Sequence, residues 1–188
     1  MAGVRTQAGI ERAATRLGCE AAAIQAVIDV ESSGAGFLLD GRPKVLFESH
    51  VFSRLTGGIY DRSHPMLSTQ KPMRTLYSME QYDRLYGALQ LDAGSAVQSA
   101  SWGLMQIMGF NWKACGEKSL HGFLLAMHHN EDAHLALFAE FVAERGLHHD
   151  LQRKNWAAFA RGYNGPGYAA NDYDSKLARA YARHANGR

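Results

Sequence analysis

The sequence predicts a mainly α, α+β fold: a helical bundle with a small β-hairpin lobe bordering a cleft. Apolar residues recur with a helical period along most of the chain, as in Ile24, Val27 and Ile28, with Glu31 completing the i, i+3, i+4, i+7 series. One stretch, 37–48, breaks that period around Asp40-Gly41, a pair suited to a tight type I′ hairpin turn. Repeats, low-complexity tracts and linkers are absent. The 188 residues, 46% of them hydrophobic, are therefore read as one domain, 1–188, able to bury its own core.

Each element has a local cause. A first helix over 6–17 stops at Gly18, and a second over 20–31 is broken by Gly34 and Gly36. The hairpin follows, kept at a sheet edge by Pro43. A helix over 48–55 closes at Gly57-Gly58, and 60–75, with Pro65 and Pro72 and no period, is a loop. Ser78 with Gln81 forms a capping-box pattern opening a helix to Leu91, and another helix is expected over 94–107, with Ser101 its weak point. Asn130 caps an amphipathic helix that turns Leu135, Phe138 and Val142 inward and ends at Gly146. Asn155 caps a helix to Tyr163, stopped by Asn164-Gly165-Pro166-Gly167, and a last helix covers 173–183.

Composition narrows the function. A net charge of +2 is too weak to argue for a nucleic-acid partner, although it suits an anionic polymer. Cys19 and Cys115 have neither metal nor redox spacing and are read as free thiols of a chain made in the cytosol. The most apolar stretch, 21–30, is interrupted by Gln25 and Asp29 and follows five charged residues from Arg5 to Glu20, so neither a membrane span nor a signal peptide is expected. Nine histidines, among them His128, His129, His134, His148 and His149, show no paired ligand spacing, and no nucleophile elbow or phosphate loop is present. Neither a metal nor a cofactor is expected. The basic end, Lys176, Arg179, Arg183, His184 and Arg188, reads as a solvated helix face.

Glu31 is the leading candidate for chemistry. At a helix end, on the apolar face, its carboxyl is partly desolvated, which raises a pKa towards what a general acid needs. Asp40 stands nine positions later and could supply a second carboxylate, although Asp before Gly is also a turn former. Glu48, in Val45-Leu46-Phe47-Glu48-Ser49-His50, is the rival, or else a charge favourable to a helix's first turn. In the apolar segment Ser101-Trp102-Gly103-Leu104-Met105-Gln106-Ile107, the lone amide of Gln106 needs a backbone or ligand partner. Tyr163 and Asn164 stand at a helix end before a forced turn.

Three of these fragments occur in a familiar order. Val30-Glu31-Ser32-Ser33-Gly34, Ser101 to Ile107, and Tyr163 to Gly167 resemble the Glu-Ser-Gly, Ser-x-Gly-Leu-Met-Gln-Ile and Tyr-Asn-x-Gly motifs of soluble lytic transglycosylases and goose-type lysozymes. With Val45 to Phe52 and Ala100 to Gly103, the chain resembles the N-acetylmuramidase endolysins of phages and prophages of Gram-negative bacteria, from about Gly9 onwards. The resemblance implies a lysozyme-like fold and cleavage of the β-1,4 bond between N-acetylmuramic acid and N-acetylglucosamine; such endolysins often add a wall-binding domain, but none is expected here, since the motifs run from Glu31 to Gly167. Glu31 then matches the acid, and Gln106, Tyr163 and Asn164 match residues lining the sugar cleft, with Ser101 placed beside them. In phage-type lysozymes a Thr follows the Asp by six residues; Leu46 stands there instead, which weakens the case for Asp40.

Hydrolysis is favoured over a transglycosylase giving 1,6-anhydro ends, because two candidate carboxylates flank the hairpin. A non-catalytic glycan-binding module is the other alternative. The expected partner is the glycan strand of peptidoglycan, met by a monomer in the periplasm after a separate holin releases it from the host cytoplasm.

Overall fold

The computed structural model describes residues 3–32, 34–165 and 171–187. Within them lie ten α-helices: α1 (Gln7–Leu17), α2 (Ala21–Glu31), α3 (Ser49–Leu55), α4 (Gln81–Leu91), α5 (Ala93–Gln98), α6 (Leu120–His129), α7 (Glu131–Glu144), α8 (His148–Arg153), α9 (Trp156–Asn164) and α10 (Tyr173–Asn186). A small sheet is built from β1 (Val45–Phe47), β2 (Ala100–Trp102) and β3 (Ile107–Met108).

The helix ends follow side-chain chemistry. Thr6 Oγ1 accepts from Gly9 N at 3.0 Å to start α1, and Gly18 ends it in the left-handed region. Asn130 and Asn155 cap α7 and α9 as expected, by accepting from Ala133 N at 2.8 Å and Ala158 N at 3.3 Å. On α2, Ile24, Val27 and Ile28 are buried in the same core as Leu135, Phe138 and Val142 of α7. Helix α1 packs on α7, and α10 lies along α2 and α9, so the acid-bearing helix is held from two sides.

The expected hairpin at 37–48 is realised only in part. Phe37 and Pro43 form an isolated bridge, and β1 pairs with β2 rather than folding back on 37–39. Gly41 N donates to Leu38 O at 3.0 Å and Leu38 N to Arg42 O at 2.8 Å. With φ +83° at Gly41 and not at Asp40, this is a loop closed by one left-handed glycine, not a type I′ turn.

The expected helix over 94–107 is corrected more strongly. Asp92 caps α5, which ends at Gln98; the chain then runs through β2, turns, and returns as β3. Gly103 (φ +68°) and Gln106 (φ +47°) take left-handed backbone conformations that no helix accommodates. A Cβ at Gly103 would also lie 2.8 Å from the His134 ring.

The capping box is not formed, because α4 begins at Gln81 and Ser78 belongs to the preceding 3₁₀ turn, Arg74–Ser78. Gln81 instead accepts from Phe47 N at 3.0 Å and donates to Leu76 O at 3.0 Å and Met79 O at 2.7 Å. Helices α6 and α8 were not anticipated, and α10 runs three residues past the expected end. Pro166 and Gly167 of the expected helix stop, Ser33 of the first motif and Arg188 of the basic end lie outside the described residues.

Both cysteines are free, and burial pushes Cys19 up to about 11 and Cys115 to about 12, so neither supplies a thiolate near neutral pH. No helix among the described residues is long and apolar enough to cross a membrane.

Candidate active site

Glu31 is the last residue of α2, and the turn that follows is pinned in place. Gly36 N donates to Glu131 Oε1 at 2.6 Å, and Arg5 donates to Glu131 Oε2 through its backbone N at 3.0 Å and Nη1 at 3.1 Å. Gly36 also passes so close to His134 and Leu104 that a Cβ there would lie within 2.9 Å of both, which requires glycine. The ring of His134 accepts from Leu104 N at 3.0 Å and lies 2.8 Å from Met127 O, to which its Nε2–H donates. Burial lowers its pKa, so this is a neutral structural histidine. Among the described residues no three His, Cys, Asp or Glu side chains gather into a metal-binding group.

The acid itself is largely enclosed. Burial raises the Glu31 pKa above the ordinary carboxyl range, and one hydrogen bond, from Asn164 Nδ2 at 2.9 Å, partly opposes it. Asn164 ends α9, and the preceding Tyr163 donates to Met105 O at 2.9 Å while packing on Phe159, Phe138 and Phe141. Burial, and then the nearby Glu31, push the Tyr163 phenol far above its ordinary value, so it keeps its proton. A rigid aromatic cluster thereby positions the amide that touches the acid.

Another part of the cleft lining comes from the sheet. Leu46 pairs with Ser101 and Ser101 with Met108, placing one residue of each strand side by side at the cleft. Ser101 Oγ donates to Gln106 Oε1 at 2.9 Å, and Gln106 Nε2 donates to Gly103 O at 2.8 Å. Gln106 therefore finds its partners within the β2–β3 turn, while still lining the cleft. Glu48, just beyond β1, accepts from Tyr77 Oη at 2.9 Å.

Glu31, Glu48, Ser101, Gln106, Tyr163 and Asn164 all line one cleft of about 460 Å³. Leu46, Met105, Ile107, Met108, Asn111, Phe141 and Tyr173 complete its walls. Asp40 is left out: it sits on the exposed loop tip, where Arg42 Nη2 approaches its carboxylate to 2.6 Å and Nε to 2.7 Å. Those contacts hold its pKa low. Asn111, Phe141, Tyr173 and the Glu48 partner Tyr77 were missed, because each joins the site through contacts between distant segments that leave no local pattern.

A desolvated carboxyl with a raised pKa at the end of α2 shares this cleft with a second carboxyl beside β1, the pair of acids that glycosidases use. The N-acetylmuramidase family model matches residues 20–185, and the chain belongs to that family. It is thus a glycoside hydrolase whose substrate is peptidoglycan. The crystal structure of the Burkholderia AP3 phage endolysin matches with a TM-score of 0.88 and 41% sequence identity, over 96% of this chain and 71% of that one. No curated protein matches.

Proposed function

We propose that this muramidase is an endolysin in which Glu31 is the general acid and Glu48 the second carboxylate. The supporting observation is that the two line the same cleft, with Glu31 desolvated. Glu31 delivers its proton to the glycosidic oxygen as the bond from that oxygen to C1 of N-acetylmuramic acid breaks. Positive charge develops at C1 and the ring oxygen, and ionised Glu48 opposes it. Water adds at C1, giving a reducing end. Whether Glu48 first bonds to C1 or only removes the proton from water is reported by the anomer released. Asp40, engaged by Arg42 at the loop tip, is given no part in this reaction.

Ser101, Gln106, Tyr163 and Asn164 shape the wall against which the sugars lie. The reading carries with it a monomer that is made in the host cytoplasm and reaches the wall through a separate pore-forming protein. Its modest positive charge favours approach to an anionic wall.

The test is mass spectrometry of fragments released from purified peptidoglycan by the wild type, Glu31→Gln and Glu48→Gln. Reducing N-acetylmuramic acid ends from the wild type, and a loss of about 10²-fold or more in both variants, are expected. Fragments lighter by one water overturn hydrolysis, and full activity in either folded variant overturns that residue's role.

A further inference from the structure

Glu48 is held by more than its own strand. Its Oε2 accepts from Tyr77 Oη at 2.9 Å, and His50 Nδ1 lies 3.3 Å from the same oxygen without the geometry of a hydrogen bond. None of the described residues hydrogen-bonds Oε1, on a side chain that lines the cleft.

The 3₁₀ turn carrying Tyr77 is fastened to the strand end carrying Glu48. Gln81 joins Phe47 N, one residue before Glu48, to the carbonyls of Leu76 (3.0 Å), Tyr77 (3.3 Å) and Met79 (2.7 Å). The buried guanidinium of Arg84 donates to Phe47 O at 2.9 Å, and to Met66 O through Nη2 at 3.2 Å. Two side chains of α4 thus fix the turn and the strand in one relation, and the phenol spans the gap between them.

We infer that Tyr77 is a positioning residue for the muramidase reaction: its hydroxyl locks Glu48 through Oε2, orienting the carboxylate and leaving Oε1 to the substrate. This rests on the reading of Glu48 as the second carboxylate. A hydrogen bond donated to a carboxylate is strong and directional, so it fixes how the group is turned. Burial, and then the bond to Glu48, push the phenol up to about 12, so Tyr77 remains a donor throughout the working range. The other groups on this side are His50 on α3, Arg84 on α4 and Arg74 in the turn, with Glu31 of α2 in the same cleft. Tyr77 alone among them donates a hydrogen bond to the Glu48 carboxylate.

The experiment measures kcat and KM for the wild type, Tyr77→Phe, Glu48→Gln and the double variant on soluble glycan strands. The expected result for Tyr77→Phe is a fall in kcat of about tenfold or more with KM little changed, the size of a charge-assisted hydrogen bond. In the Glu48→Gln background the same substitution should change kcat by less than about twofold, because no carboxylate is left to orient. If Glu48→Gln loses activity but Tyr77→Phe matches the wild type in kcat, the carboxylate assignment stands and the Tyr77 inference falls. If Glu48→Gln keeps wild-type turnover, both fall. An equal fall in kcat with and without the Glu48 carboxylate also overturns the inference, since loss of packing alone gives that result.

Discussion

Asn164 Nδ2 donates to Glu31 Oε1 at 2.9 Å, joining the C-terminal end of α9 to that of α2 across 133 positions of sequence. The bond does two opposed things. It fixes the orientation of the acid, and it favours the ionised form that burial disfavours. Asn164→Ala therefore predicts a split outcome: kcat falls by about tenfold through lost orientation, while the alkaline limb of the pH profile moves up because protonated Glu31 persists further. A limb that moved down would contradict this account of the acid.

Little of that relationship is legible in the sequence, and the reason is physical. Glu31 stands out because helical period alone puts it on the apolar face of α2, one residue from a break. Its partner is set by packing of α10 against both α2 and α9, which no local pattern encodes. Asp40 misleads for the converse reason. Nearness in sequence suggests a pair with Glu31, but the loop tip is exposed and Arg42, two residues on, captures the carboxylate. The segment 101–107 is apolar enough to suit either period, and pairing of Ser101 with Leu46, 55 residues earlier, decides for a strand. Tyr77 lies at the end of an aperiodic stretch and gives no signal at all.

The two rival carboxylates separate cleanly by substitution. Asp40→Asn removes an exposed, Arg42-bound charge outside the cleft, so its turnover should stay within about twofold of wild type, as for most surface changes. Glu48→Gln changes a cleft residue and should lose about 10²-fold or more. Reducing-end release at several substrate concentrations measures both, and the opposite ranking would restore Asp40 as the partner of Glu31.

An acid held above its ordinary pKa costs stability whenever it is ionised. Between the unfolded carboxyl pKa, about 4.3, and the raised folded value, the native state binds more protons than the unfolded one, so stability falls as pH rises through that window. Glu31→Gln removes the cost. It should melt at a higher temperature than the wild type at neutral pH, by a margin of about 1.4 kcal/mol for every pH unit that separates the folded from the unfolded pKa, and the gap should close near pH 4. Thermal denaturation at a series of pH values measures it; a gap independent of pH would mean that the carboxyl is not strained.

His134 gives the opposite slope. Its ring is fully buried between Leu104 N and Met127 O, stacks on Phe37 at 4.9 Å, and has a pKa lowered mainly by burial. Below about pH 6.5 the unfolded chain takes up a proton there that the native ring refuses, so stability falls as pH drops towards the lowered folded value. His134→Ala should cost about 3 kcal/mol or more, since it opens a cavity and strands a buried N–H and a carbonyl. It should also flatten the decline of Tm between pH 7 and 5, because the titrating group is gone. The damage reaches the site as well: Gly36 and Gly103 both close on this ring, one in the turn after Glu31 and the other in the turn that presents Gln106. Activity of the folded variant should therefore fall with its stability, and a His134→Ala enzyme with full turnover would show that the two walls of the cleft keep their spacing without it.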